Sequence, residues 1–467
     1  MSSSAPPRDG LEVRSPYDGG LIDTITTPSP EAIERAVASA VAAVPGMAGL
    51  SADERSELLY EASERIAGRV DELAYTIARE AGKPIRDARA EASRAVYVFR
   101  WAAEETKRIE GQWLPLDTER GLGRRGGLVR RFPVGPLLAI APFNFPLNLV
   151  AHKLAPALAA GNPVIVKPST RTPLSALALV ESVADGDWPA GAIGVLPLDG
   201  HDTASLAGDP RVAAISFTGS DRVGWQLKAD NPRKKVTLEL GGNSAVIVEP
   251  DADLEFAVAR LVFGAFAYAG QVCLSTQRIL VADEIHDEFV QRYLDGVDQL
   301  VIGDPLDEHT DVGPMITTEA AVRVQEWVSE AQQLGARVLR GAERTEAFVT
   351  PTVLADVPHE ASCWKEEIFG PVVCISRYAT FAEALELANA TRYGLQAAVF
   401  TRDLSKAMVA HETIQAGAII VNDAPFFRAV QMPYGGVRDS GYGREGVTAA
   451  IQEMTEPRLL VIPLPGN

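Results

Sequence analysis

The chain is poor in the residues that cross-link or metallate a fold. Of its 467 residues, three are cysteine and six histidine. Cys273, Cys363 and Cys374 are too few and odd in number for a disulfide framework, which points to a reducing compartment. No cysteine or histidine cluster has zinc-ligand spacing, so no metal is expected. Long apolar runs are also missing, and none is long enough to span a bilayer. The first nine residues are Ser- and Pro-rich and lack the apolar stretch of a signal peptide. A cytoplasmic protein that does not enter a membrane is expected. Basic charge is in deficit: 44 Lys and Arg face 62 Asp and Glu, for a formal net charge of -18. This excludes nucleic acid and anionic membranes as general partners. It does not exclude an anionic small molecule, because a few arginines can reverse the field inside a cleft.

What is present is ordinary for a globular enzyme, with 46% hydrophobic and 23% charged residues. The length exceeds one usual core and predicts two or three domains. Helices are predicted over 31–49, over 51–81 as one helix or a pair, and over 84–111, ending at Gly111. Ser51 and Glu54 have capping-box spacing. Residues 113–133 are Gly- and Arg-rich with short β-like pieces, and read as a hairpin or an excursion from the body. A regular alternation follows. Strands are predicted at 134–141, 163–167, 195–198, 213–217 and 236–240, with helices between them, and the pattern predicts a doubly wound parallel sheet. A second α/β series starts after Gly242, and residues 458–462 make a tail strand.

Several strand ends carry chemistry. Cys273 lies in the small-residue stretch 264–278, between Gln271 and Ser275, and Glu239 ends a β-like run just before Gly241 and Gly242. A thiol and a carboxylate of this kind suit covalent catalysis followed by hydrolysis. A lone cysteine is more often a packing residue, so the neighbouring motifs decide. Gly219 and Ser220 stand between a strand and a helix, where close backbone approach and free N–H groups suit a pyrophosphate. Lys167 ends the 163–167 strand, where open α/β sheets bind ligands. Asn144, after Pro142 and Phe143, offers an amide donor for an oxyanion. Glu366 and Glu367 precede Phe369 and a Gly-Pro turn: a carboxylate for a ribose diol and a ring to pack on another ring.

In order, the chain carries Pro-Phe-Asn-Phe-Pro, Lys-Pro-Ser-Thr, Phe-Thr-Gly-Ser, Leu-Glu-Leu-Gly-Gly, Gly-Gln-Val-Cys and Glu-Glu-Ile-Phe-Gly-Pro. With this series it resembles the aldehyde dehydrogenase superfamily from Pro16 to Ile462. The resemblance implies a Rossmann-like cofactor domain (1–113 and 132–241), an α/β catalytic domain (242–439) and a small β oligomerisation arm (114–131 and 451–467). It implies that Cys273 is the nucleophile, Glu239 the base and Asn144 the oxyanion donor, with a thioester intermediate. Glu239 argues against the family branch that acylates coenzyme A, which lacks it. Lys167, Ser220 and Glu367 match contacts to NADP or NAD at the adenosine ribose, pyrophosphate and nicotinamide ribose. Pro142, Phe143, Gly219, Val223 and Phe369 complete that implied surface. Thr170 stands where NAD-devoted members commonly have Glu, so a 2′-phosphate would meet no repelling charge. The stretch from Trp101 to Gly111 and the Phe427-Arg428 pair before Met432-Pro433-Tyr434-Gly435 also resemble the branch acting on small anionic or hydroxylated aldehydes: lactaldehyde, phosphonoacetaldehyde and glyceraldehyde-3-phosphate. There Arg108 and Arg428 would bind the far end of the substrate, with Phe145 and Val272 beside them. Phosphate-binding members carry Arg in place of Val272, which leans this chain toward less charged aldehydes. A succinate semialdehyde dehydrogenase and a catalytically silent relative are the alternatives. A homodimer or homotetramer is implied.

Overall fold

The computed structural model describes residues 10–465, so the reading of the first nine residues lies outside the described residues. Three of the five sheets among the described residues organise the chain. The first has six strands in the order Gly441–Tyr442, Lys235–Glu239, Ala214–Thr218, Leu137–Ile140, Val164–Lys167 and Ile193–Val195. All pair in parallel except the two-residue Gly441–Tyr442, which returns late in the chain to run antiparallel to Lys235–Glu239. Leu137–Ile140 is buried along its whole length, as a strand covered on both faces must be, and this explains its unbroken apolar sequence. One cover is the helix Asn148–Ala159, every residue of which is buried.

The second sheet has seven strands: Arg337–Arg340, Thr352–Ala355, Val372–Tyr378, Thr276–Ala282, Ser244–Val248, Gln396–Phe400 and Ala418–Val421. Only its first pair is antiparallel. The third sheet is antiparallel, with Arg125–Pro133 between Gln112–Pro115 and Thr455–Pro463.

The capping box at Ser51 and Glu54 is present, and 51–81 is a pair of helices, Ala52–Ala67 and Val70–Ala81. Other boundaries move. The helix predicted over 84–111 is Ile85–Thr106. Gly111 does not cap it: a Cβ there would stand 2.6 Å from the Val129 carbonyl oxygen, so this glycine serves the close approach of the third sheet. The 134–141 strand shortens to Leu137–Ile140 because Gly135 has a positive φ of 118° and Pro136 cannot donate to a ladder. The strand expected at 195–198 lies at Ile193–Val195, before Pro197. Among the described residues, no single helix is long and apolar enough to cross a membrane.

In the first sheet the carboxyl ends of four parallel strands lead into Pro142–Asn144, Lys167, Thr218–Ser220 and Glu239. Ligands bind at that edge in open α/β sheets. The loop carrying Cys273 enters the second sheet through Thr276–Ala282.

Candidate active site

The backbone before Cys273 is held in an uncommon shape. Tyr268, Ala269 and Gly270 have successive positive φ angles of 48°, 51° and 67°, a region that non-glycine residues rarely enter without support. Support is visible. The Tyr268 hydroxyl donates to the Ala81 carbonyl at 2.7 Å, and Gln271 Oε1 accepts the Ile316 N–H at 2.8 Å. A Cβ on Gly270 would lie 2.1 Å from the Gly370 carbonyl oxygen, so glycine is required there. Cys273 Sγ lies 3.0 Å from the Tyr434 hydroxyl. Burial pushes the thiol up to about 12; the Tyr434 bond and Arg428 oppose it, while Glu367 and Glu239 add to it.

Glu239 is 2% exposed, and among the described residues neither carboxylate oxygen has a hydrogen-bond partner. Burial, then the neighbouring Glu445 carboxylate, holds Glu239 well above the usual carboxylate range; Arg428, Lys153 and Arg444 work the other way. Glu445 forms a fully buried ion pair with Lys153 and lies 3.6 Å from Arg428 Nη2. The Glu239 carbonyl accepts the Gly219 N–H at 3.1 Å, so one strand end ties the carboxylate to the glycine turn.

Asn144 donates from Nδ2 to the Gln271 carbonyl at 3.0 Å and so sits beside the cysteine loop. Its own carbonyl accepts from Lys83 Nζ at 2.7 Å. Lys83 is paired with Glu91 in a fully buried contact and lies 3.6 Å from the centre of the Phe145 ring. Glu91 Oε1 in turn accepts the N–H groups of Leu147 and Asn148, each at 3.1 Å. The Lys83–Glu91 pair therefore positions the turn that carries Asn144.

A cavity of about 330 Å³ opens at the edge of the first sheet, lined among others by Ile140, Lys167, Arg222 and Val223. Ser220 precedes the helix Asp221–Asp230 and makes no side-chain cap bond, which leaves its hydroxyl and the helix N-terminus for an anion. A Cβ on Gly219 would meet the Phe217 ring at 2.6 Å. Glu367 accepts the Gly242 N–H at 3.0 Å, and burial raises its carboxyl to about 7. Phe143 and Phe369 meet edge-on at 5.8 Å. The helix N-terminus, which Ser220 does not cap with its side chain, and the flanking cations Lys167 and Arg222 fit a dinucleotide. Thr170 lines a different groove, of about 670 Å³, shared with Pro16, Tyr17, Arg171 and Thr317.

On the substrate side the structure corrects the reading of Arg108. Its side chain is 55% exposed at the outer end of Ile85–Thr106 and is taken up by Glu105 at 2.8 Å and Glu104 at 3.5 Å. Val272 is buried in the core and offers no polar group. Phe145 lines a cavity of about 120 Å³ together with Lys83, Asp87, Glu91, Arg94 and Asn148. Arg94 donates to the Arg428 carbonyl, so the two arginines adjoin. Arg428 is 9% exposed, and its guanidinium carbon lies 3.7 Å from the centre of the Tyr434 ring.

The model of the Aldehyde dehydrogenase family matches residues 2–460. The chain belongs to that family. It is 43% identical to the 3-sulfolactaldehyde dehydrogenase of Priestia aryabhattai, over 97% of this chain and 95% of the relative. The crystal structure of aldehyde dehydrogenase 21 from Physcomitrella patens, in complex with the reaction product succinate, superposes with a TM-score of 0.96. Their identity is 43%, and the match covers 98% of this chain and 96% of that one. Glyceraldehyde-3-phosphate dehydrogenase GapN from Methanocaldococcus jannaschii, complexed with NADP, gives a TM-score of 0.94 at 38% identity, over 98% and 100% of the two chains.

This NAD(P)-dependent aldehyde dehydrogenase also brings to the candidate site residues that the motifs did not single out. Arg94 was legible in principle. Asp87, Glu91 and Arg94 recur at i, i+4 and i+7, a charged stripe on a helix whose Ala88, Ala92 and Ala95 are buried. Arg222, Lys83 and Tyr434 carried no such signal, because each is defined by partners far away in the chain.

Proposed function

We propose that this enzyme oxidises a small aldehyde with an anionic or hydroxyl group remote from the reacting carbon. The carrying observation is the adjacent pair Arg94 and Arg428. Among the described residues, Arg94 Nε and Arg428 Nε are buried without a hydrogen-bond partner, and Arg428 Nη2 has only the long ion pair with Glu445 at 3.6 Å; buried donors are rarely left unpaired. Burial and the neighbouring Arg428 charge lower Arg94 to about 10. A substrate anion would relieve both costs. An ω-carboxylated aldehyde is the second reading, supported by the succinate complex of the Physcomitrella patens relative.

The reading assigns these roles. The Cys273 thiolate adds to the carbonyl carbon. Asn144 Nδ2 and the Cys273 N–H hold the oxygen that becomes negative. Lys167, Ser220 and Glu367 would hold NAD or NADP, whose nicotinamide supplies the two-electron acceptor. Lys167 and Arg222 flank one cavity, which supports acceptance of a 2′-phosphate. Glu239 takes a proton from the water that cleaves the Cys273 thioester and releases the acid.

The division into a cofactor domain, a catalytic domain and an arm is proposed on the three separate sheets. A cytoplasmic homodimer or homotetramer is proposed on three unpaired cysteines and an apolar arm edge.

The test of the substrate class is Arg94→Ala with lactaldehyde-type, succinate-semialdehyde-type and neutral aldehydes. A charge-assisted bond contributes about 1.5–3 kcal/mol. The variant should therefore lose about tenfold or more in kcat/KM on the acidic aldehyde that the wild type prefers, and little on propanal. Equal losses on both would return Arg94 to a structural role.

A further inference from the structure

We propose that the Tyr434 hydroxyl is a catalytic group of this enzyme, donating a hydrogen bond to the Cys273 thiolate. The proposal rests on reading Cys273 as the nucleophile.

The geometry is direct, with 3.0 Å between hydroxyl and Sγ. Tyr434 is buried and fixed at its backbone. Its N–H donates to the Glu445 carbonyl at 2.9 Å, and its carbonyl accepts the Glu445 N–H at 2.6 Å. Arg428 lies over the ring, 3.7 Å from its centre. A cation on that face holds the ring and draws electron density from it, which makes the phenol a better donor.

Charged groups face the sulfur from several elements. Glu367 comes from the turn before Val372–Tyr378, Glu239 from the end of Lys235–Glu239, and Arg428 from the loop before Tyr434. The two carboxylates disfavour a thiolate and the arginine favours it. The Asn144 amide is directed at the Gln271 carbonyl. Tyr434 is thus the neutral donor in hydrogen-bond contact with Sγ. It keeps its own proton, because burial and the nearby Cys273 and Glu239 raise the phenol well above its ordinary value against the opposing pull of Arg428.

In the thiol form either atom can donate. In the thiolate form only the phenol can, and a bond to an ionised acceptor is roughly twice as strong as a neutral one. The contact therefore favours the nucleophilic form. When sulfur adds to the aldehyde, the S–C bond forms and the carbonyl π pair moves to oxygen. Charge leaves the sulfur, and Tyr434 retains its proton throughout.

The test is alkylation of Cys273 by iodoacetamide, followed by peptide mapping against pH, in wild type and Tyr434→Phe. Losing a bond equivalent to about one pH unit makes the thiolate about tenfold scarcer, yet more reactive. Alkylation of the variant should be roughly threefold slower at every pH below the thiol midpoint. The kcat/KM for propanal should fall by a similar factor, and KM for NADP should hold. Placing 3-fluorotyrosine at position 434, a more acidic phenol, should shift alkylation the opposite way. It also decides the matter if Tyr434→Phe does not fold. Unchanged alkylation in the folded variants would overturn the proposal. If alkylated Cys273 enzyme still oxidises aldehyde, it is the nucleophile reading that fails instead.

Discussion

At Cys273 and Glu239, burial acts in the same direction on two acids: each is held protonated above its ordinary range. Under the proposed roles both must lose a proton to act, the thiol before addition and the carboxyl before hydrolysis. Activity should therefore fall as pH drops and rise through the alkaline range, since raising an acid's pKa moves its active, ionised form to higher pH. Glu239→Gln separates the two steps. Stopped-flow absorbance should show a burst of reduced cofactor close to one per site, then a stall at the thioester. The burst itself should still quicken with pH, because Cys273 remains. Absence of the burst would place Glu239 before the thioester or outside the chemistry.

At the scale of elements, the buried Lys83–Glu91 pair joins the helix Ile85–Thr106 to the start of Asn148–Ala159. Glu91 accepts two N–H groups at that start, while Lys83 fixes the Asn144 carbonyl. Breaking such a pair leaves one buried charge uncompensated, which costs about 3–5 kcal/mol. Urea unfolding of Glu91→Gln should show a loss of that order, and the double variant Lys83→Met/Glu91→Leu should recover much of it. A single-variant cost within the ordinary surface range of about 0.5 kcal/mol would mean that the pair carries little of the local order.

For the whole molecule, the third sheet ends in Thr455–Pro463, a strand paired on one side only. Leu459, Leu460 and Val461 on it are 53%, 58% and 47% exposed. A long apolar edge strand invites pairing with another chain, and a partner copy is the natural cover under the proposed oligomer. Leu459→Asp/Leu460→Asp should sediment as a monomer where the wild type does not. Sedimentation as a full oligomer would move the interface elsewhere.

Short-range chemistry made much of this protein legible before its shape. Successive apolar strands, a serine and glutamate in capping-box spacing, and motifs at strand ends all act over a few residues, so they read directly from the chain. The family match agrees with the fold that those motifs implied. The second sheet was less legible. Thr352–Ala355 and Gln396–Phe400 are short buried runs whose pairing order depends on distant neighbours. The placement of Arg108 was not legible for a similar reason. Arg94 and Arg108 share one stretch of chain, but 14 residues of helix would carry a side chain about 20 Å along the axis. That distance separates a buried stripe beside Arg428 from a solvated helix end. The identity of a residue limits its chemistry; the side chains it meets depend on packing between segments 161 to 334 residues apart, as with Cys273 and Tyr434 or Arg94 and Arg428.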